Sequence, residues 1–152
     1  IMGLMLGLDG KTRALDINKG LSVSAITTLY VGLLQSAPAN MDGMDLATLV
    51  HSSNGNEFSI GASFYTSRKS ITLGLTTTNQ NGAYAQNNNV AAIEWTNSTG
   101  STINIPAFFI TDAASGTIGN VIWVGLPDAG TATIYNGAKA SITTGDLVIR
   151  ID

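Results

Sequence analysis

The sequence predicts a mainly β chain, an antiparallel β-sandwich of jelly-roll-like type with a short helical or irregular N-terminal segment. Three observations carry that expectation. Apolar and polar residues alternate with a period of two through much of residues 58–152, as in Ile93-Glu94-Trp95-Thr96, and that period puts one apolar set on one sheet face. Turn residues punctuate these runs at short intervals, among them Asn136-Gly137 and Gly145-Asp146, which supply the positive-φ positions of tight hairpins. Residues 103–110 and 121–126 are apolar on both faces, as strands covered from both sides are. Short strands at this spacing point to a sandwich or barrel.

In chain order, residues 1–20 read as an apolar leader and residues 21–152 as a single β-sandwich domain. A chain of 152 residues is one ordinary domain, and folding removes about 68–70% of its surface from water. Met2, Leu4, Met5, Leu6 and Leu8 make the leader apolar. It lacks the basic n-region and small-residue cleavage pattern of a signal peptide, and Ile1 suggests trimming upstream. Two placements stand for it: a first strand in the domain's own sheet, or an arm on a neighbouring subunit. Residues 11–21 read as a short helix or an irregular turn, and 27–35 as a first core strand stopped by Pro38. Residues 45–50 suit one helical turn with Asp42 or Asp45 as its N-cap. The alternation of Ile71, Leu73 and Leu75, and later of Leu147, Ile149 and Ile151, marks further strands. The Asn-rich residues 78–89 read as a loop around Asn81-Gly82.

Composition narrows function by exclusion. Cysteine is absent, so disulfides and thiolate metal sites are ruled out. Charged residues make up 11% of the chain, against roughly 25% in an average soluble domain, and mean hydropathy is +0.23. Such a neutral surface suits burial against a partner, or equally a Thr/Asn/Ser-rich surface in water. Net charge is −3 and the seven basic residues are scattered, which argues against nucleic-acid binding. No apolar run reaches the roughly 18–20 residues that span a bilayer as a helix.

Catalytic and metal patterns are weak. His51 is the lone histidine and lacks a nucleophile elbow nearby, so it reads as a loop or interface residue. Glu94 and Asp112 are the acids a glycan hydrolase would need, but alternation turns Glu94 outward, opposite Trp95. Asp42-Gly43-Met44-Asp45 and residues 112–119 resemble fragments of calcium loops without the acids to complete them. Asn97-Ser98-Thr99 fits the glycosylation sequon but reads as a turn. Trp95, Trp123, Tyr65, Tyr84 and Tyr135 are expected in the core or at interfaces before a carbohydrate platform. No catalytic residue, cofactor or metal is expected, and no polar cluster converging on a cleft.

The order of several segments resembles the small structural proteins of tailed bacteriophages labelled tail fibre or head decoration (cement) proteins. The likeness runs through Ala14-Leu15-Asp16-Ile17, then Leu29 onward to Pro38, then a stretch filled by Gly61, Tyr65 and Arg68. It continues with Val90-Ala91-Ala92-Ile93-Glu94-Trp95-Thr96-Asn97 and Thr111-Asp112-Ala113-Ala114-Ser115-Gly116, and closes on Gly145-Asp146-Leu147-Val148-Ile149-Arg150-Ile151-Asp152. The apolar leader and the long Asn-rich loop depart from it. The resemblance implies a virion β-sandwich without a cofactor. The first expectation is therefore a capsid decoration protein on the phage head, made in the host cytoplasm. It would bind the major capsid protein and copies of itself, as a trimer, across capsomer joints. The alternative is a tail or fibre-associated adaptor with receptor or glycan contact. Interface contacts are expected at Met2, Leu4, Met5, Leu6, Leu8, Arg68, Lys69 and Tyr84.

Overall fold

The computed structural model describes residues 3–22, 26–41, 44–51, 55–75, 77–78 and 85–151. The chain is mainly β, and all its paired strands among these residues are antiparallel. The larger layer is a five-stranded sheet. In spatial order it holds β1 (Gly3–Leu6), β9 (Val121–Leu126), β8 (Ala107–Thr111), β2 (Leu29–Leu34) and β3 (Lys69–Ile71). Facing it are two ribbons, β6 (Ile93–Thr96) with β11 (Lys139–Ile142) and β7 (Ile103–Ile105) with β10 (Ala132–Ile134). A third small sheet joins β4 (Thr77–Thr78), β5 (Ala85–Asn88) and β12 (Val148–Ile151).

Strand β8 lies at the centre because its sequence is apolar on both faces. Phe108 and Ile110 enter a core with Val31 and Leu33 from β2, and with Trp95, Ile105 and Ile142 from the ribbons. Ala107 and Phe109 enter a second core with Leu34, Val124, Leu46 and Leu49. The two sets alternate, so all five residues of β8 are buried. Gly32 on β2 is required here: a Cβ on it would lie 2.2 Å from the Phe109 ring. Only glycine lets that ring reach the backbone.

Trp95 is buried and Glu94 exposed, as the alternation predicts. Residues 103–110, expected as one strand, are two. Pro106 has no N–H to donate and separates β7, which pairs with β10, from β8, which pairs with β2. The expected loop at 78–89 is corrected at its end. Ala85–Asn88 form β5, with Ala85 opposite Ile151 and Asn88 opposite Val148. Backbone pairing is indifferent to the Gln and Asn side chains that made the segment look like a loop. Asn81-Gly82 lies outside the described residues. Leu75 keeps the apolar period yet is exposed, because β3 ends at Ile71.

The N-terminal residues Gly3–Leu6 pair with Leu126–Trp123 as an edge of the large sheet. The Gly7 N–H then donates to the Ile122 carbonyl at 2.9 Å. Helix α1 (Leu8–Asn18) follows directly and packs on β9 and β1. It starts three residues before the expected segment. Its end is set by Gly20 at φ 73°, where the Gly20 and Leu21 N–H groups close back on Ile17 and Asp16. That is the Schellman arrangement. The short α2 (Leu46–Leu49) is capped by Asp45, one of the two expected candidates, which accepts from the Thr48 N–H at 2.7 Å.

Candidate functional site: the cleft beside the N-terminal helix

Two polar clusters stand out, and the sequence pattern announced neither. The first surrounds Arg68, which was expected at an interface and is instead buried in the chain's own interior, 3% exposed. Its guanidinium binds Glu57 in bidentate fashion, Nε to Oε1 at 2.8 Å and Nη2 to Oε2 at 2.7 Å. It also donates to the carbonyls of Ala113 at 2.9 Å and Gly116 at 2.7 Å, and lies over the Phe109 ring. The Tyr65 hydroxyl donates to Glu57 Oε1 at 2.6 Å and accepts from the Leu33 N–H at 3.3 Å. Burial, reinforced by the Glu57 charge, pushes the Tyr65 hydroxyl well above the usual tyrosine range. These groups spend their bonds on one another and on the 113–116 backbone, so they tie a loop to the sheet.

The second cluster lies at the end of the large sheet, where β2 begins, β8 ends and β9 begins. Here α1 crosses the sheet and leaves a cleft in two adjoining parts that share Arg13 and Ile26. The polar part, about 300 Å³, is lined by Thr27, Thr28, Tyr30, Asp112 and Asn120. The apolar part, about 370 Å³, is lined by Ala14, Ile17, Leu29, Ile122 and Trp123. Tyr30 is opposite Thr111 in the β2–β8 register, and strand alternation sends it away from the core that holds Val31. Asp112 follows β8 directly. Its Oδ1 accepts from the Asn120 N–H at 2.7 Å, and its Oδ2 from Asn120 Nδ2. The clasp closes the β8–β9 loop and fixes the carboxylate at the cleft. Polar residues thus do converge on a cleft, contrary to the expectation from sequence.

The remaining expected positions are spread out. Met2 and Tyr84 lie outside the described residues. Leu4, Met5 and Leu6 belong to the edge strand β1, and Leu8 opens α1. Lys69 is the first residue of β3, half-buried and opposite Val31. His51 is exposed just after α2. Glu94 is exposed and paired with Lys139 at 2.7 Å. Of the calcium-like segments, Asp42-Gly43 is outside the described residues and Asp45 serves as a helix cap. Among the described residues no group of three or more His, Cys, Asp or Glu side chains is placed to hold a metal ion. Asn97 of the sequon is fully buried, donating to the Ser101 and Ile134 carbonyls at 2.8 and 2.9 Å. It is a turn residue with both amide hydrogens in use. Among the described residues no helix is long and apolar enough to cross a membrane.

Comparison with known proteins gives the class first: a structural protein of the bacteriophage virion. The matching family model is the podophage GP4 fiber I protein gp80, over residues 12–150, and the chain belongs to that family. No curated protein matches. The match takes in α1 from Thr12 onward, both polar clusters and nearly all of the sheet.

Proposed function

We propose that the chain is a fibre-type component of the phage particle, assembled with copies of itself, whose work is mechanical and adhesive and involves no catalysed reaction. The family match over residues 12–150 carries this reading. Low charge and an apolar N-terminal stretch support head decoration on the major capsid protein equally well; the fibre description of the family tips the choice. Uncovered apolar side chains support assembly. Leu15 on α1 and Leu21 just after it are 58% and 56% exposed, and Ile118 in the β8–β9 loop is 92% exposed. Strand β1 pairs with β9 on one side only among the described residues. An apolar edge of this kind invites another strand unless something covers it.

Gold-labelled antibody against the chain, imaged on intact particles, tests the reading. Label on the fibres or tail is expected. Label spread over the head surface returns the protein to the decoration class.

A further inference from the structure

We propose that the cleft beside α1 binds a short neutral oligosaccharide. The inference deepens the fibre reading and rests on it only for its biological purpose. Each part of the cleft, at about 300 and 370 Å³, falls within the range of roughly 300–1,000 Å³ typical of small-molecule sites. The polar part offers one guanidinium, one carboxylate, one amide and the hydroxyls of Thr27, Thr28 and Tyr30. Among the described lining residues one charge of each sign is present, so neither a phosphate nor a polycation is singled out. Mixed donors and acceptors at close quarters match a ligand whose every hydroxyl both donates and accepts.

Asp112 is set for this role by its neighbour. A carboxylate has about four acceptor sites, and among the described residues two of them are committed, both to Asn120. The group is therefore oriented while keeping capacity to accept from a ligand hydroxyl. The apolar part supplies the complement. Half-buried Trp123 lines it beside Leu29 and Ile122, and its indole brings aromatic surface to this part. A pyranose ring has an apolar C–H face and a polar rim, and the two parts of the cleft adjoin through Arg13 and Ile26.

The test uses the full chain on a printed array of bacterial O-antigen and capsular oligosaccharides, followed by titration of the bound glycan. Binding with a Kd between about 10 μM and 1 mM is expected. Arg13→Met and Thr28→Val, both at the polar part, should each weaken it by about tenfold, the size of one lost polar contact. Trp123→Leu should do the same, and Glu94→Gln, on a ribbon away from the cleft, should leave affinity unchanged. Trp123 also packs against the first core, so the two polar-side variants decide the matter if Trp123→Leu fails to fold. No glycan bound at about 1 mM, or wild-type affinity in both polar-side variants, overturns the inference. Label on the fibres without glycan binding sinks the cleft assignment alone. Label on the head with glycan binding intact sinks the fibre reading alone.

Discussion

The two polar clusters of this protein use the same three chemical groups, a carboxylate, a phenol and a guanidinium, and reach opposite ends. Glu57, Tyr65 and Arg68 form one, and Asp112, Tyr30 and Arg13 contribute to the other. In the first, Tyr65 is fully buried and Arg68 nearly so, and the guanidinium makes four hydrogen bonds within the chain. In the second, the carboxylate is clasped, among the described residues, by Asn120 and faces an open volume. Residue type therefore does not define a site. Bonding capacity left over beside a space does, and that is why the first cluster serves the fold and the second is the place to look for a ligand.

The sharpest way to break this comparison is to remove one member of the buried cluster. Arg68→Met strands the Glu57 carboxylate and orphans the Ala113 and Gly116 carbonyls. A buried pair broken on one side costs about 3–5 kcal/mol, read as a fall in the urea midpoint. Glu57→Gln should cost a similar amount by leaving the guanidinium charge unpaired. The double variant Glu57→Gln/Arg68→Met should cost less than the two single losses added together, because the partners share one interaction. Additive losses would mean the pair does not act as a unit.

Tyr65→Phe is the next step down. It removes a donor from Glu57 and an acceptor from the Leu33 N–H, for about 1–3 kcal/mol. The pH dependence adds a signature. The folded state raises the hydroxyl pKa above its ordinary value of 10.0, so the folded chain holds that proton more tightly than the unfolded chain. Its contribution is fully present below pH 10.0 and is lost as pH rises beyond it. Wild-type protein should lose stability above that pH more steeply than Tyr65→Phe; equal slopes would remove Tyr65 ionisation from the account.

The strand framework was largely legible because burial follows a period of two, as Ile93 and Trp95 show against Glu94 and Thr96. The Asp45 cap was legible because it is local, three residues from its partner. Strand β5 was not, since Ala85-Gln86-Asn87-Asn88 has the composition of a loop and owes its conformation to β12. The clusters were hidden for a different reason. Arg13, Tyr30, Asp112 and Asn120 come together only through the α1 crossing and the β2–β8–β9 register. Tyr65 and Arg68 did carry a faint signal, being part of the family resemblance without belonging to any apolar period. Glu57, eight residues before Tyr65, carried none.

A smaller effect is expected at Asp45. Its carboxyl is held below the usual range by the Thr48 backbone N–H it accepts from. Asp45→Ala should cost about 1 kcal/mol, the common value for a lost N-cap. A depressed pKa contributes stability that is present above the unfolded value of 3.8 and lost as pH falls through the folded one. The difference between Asp45→Ala and wild type should therefore shrink below pH 3.8. A gap that persists in acid would assign the cost to the cap hydrogen bond itself, which a protonated carboxyl can still accept, rather than to its charge.

The smallest effect gives the cleanest contrast with the buried cluster. Lys139 and Glu94 are joined at 2.7 Å, the same separation as Arg68 Nη2 to Glu57 Oε2. Their side chains, however, are 56% and 41% exposed, against 0% and 9% for the buried pair. Water already solvates both charges, and holding two long side chains in one geometry costs entropy. Lys139→Met should then change stability by no more than about 0.5 kcal/mol, and raising the salt concentration should erase even that. The pair spans the β6–β11 ribbon, where Lys139 is opposite Thr96 and Ser141 opposite Glu94, so it crosses on the diagonal and the backbone register does not depend on it. A loss from Lys139→Met comparable to that from Arg68→Met would show that distance, not desolvation, sets the strength of these contacts. It would also undo the argument that separates the sealed cluster from the open cleft.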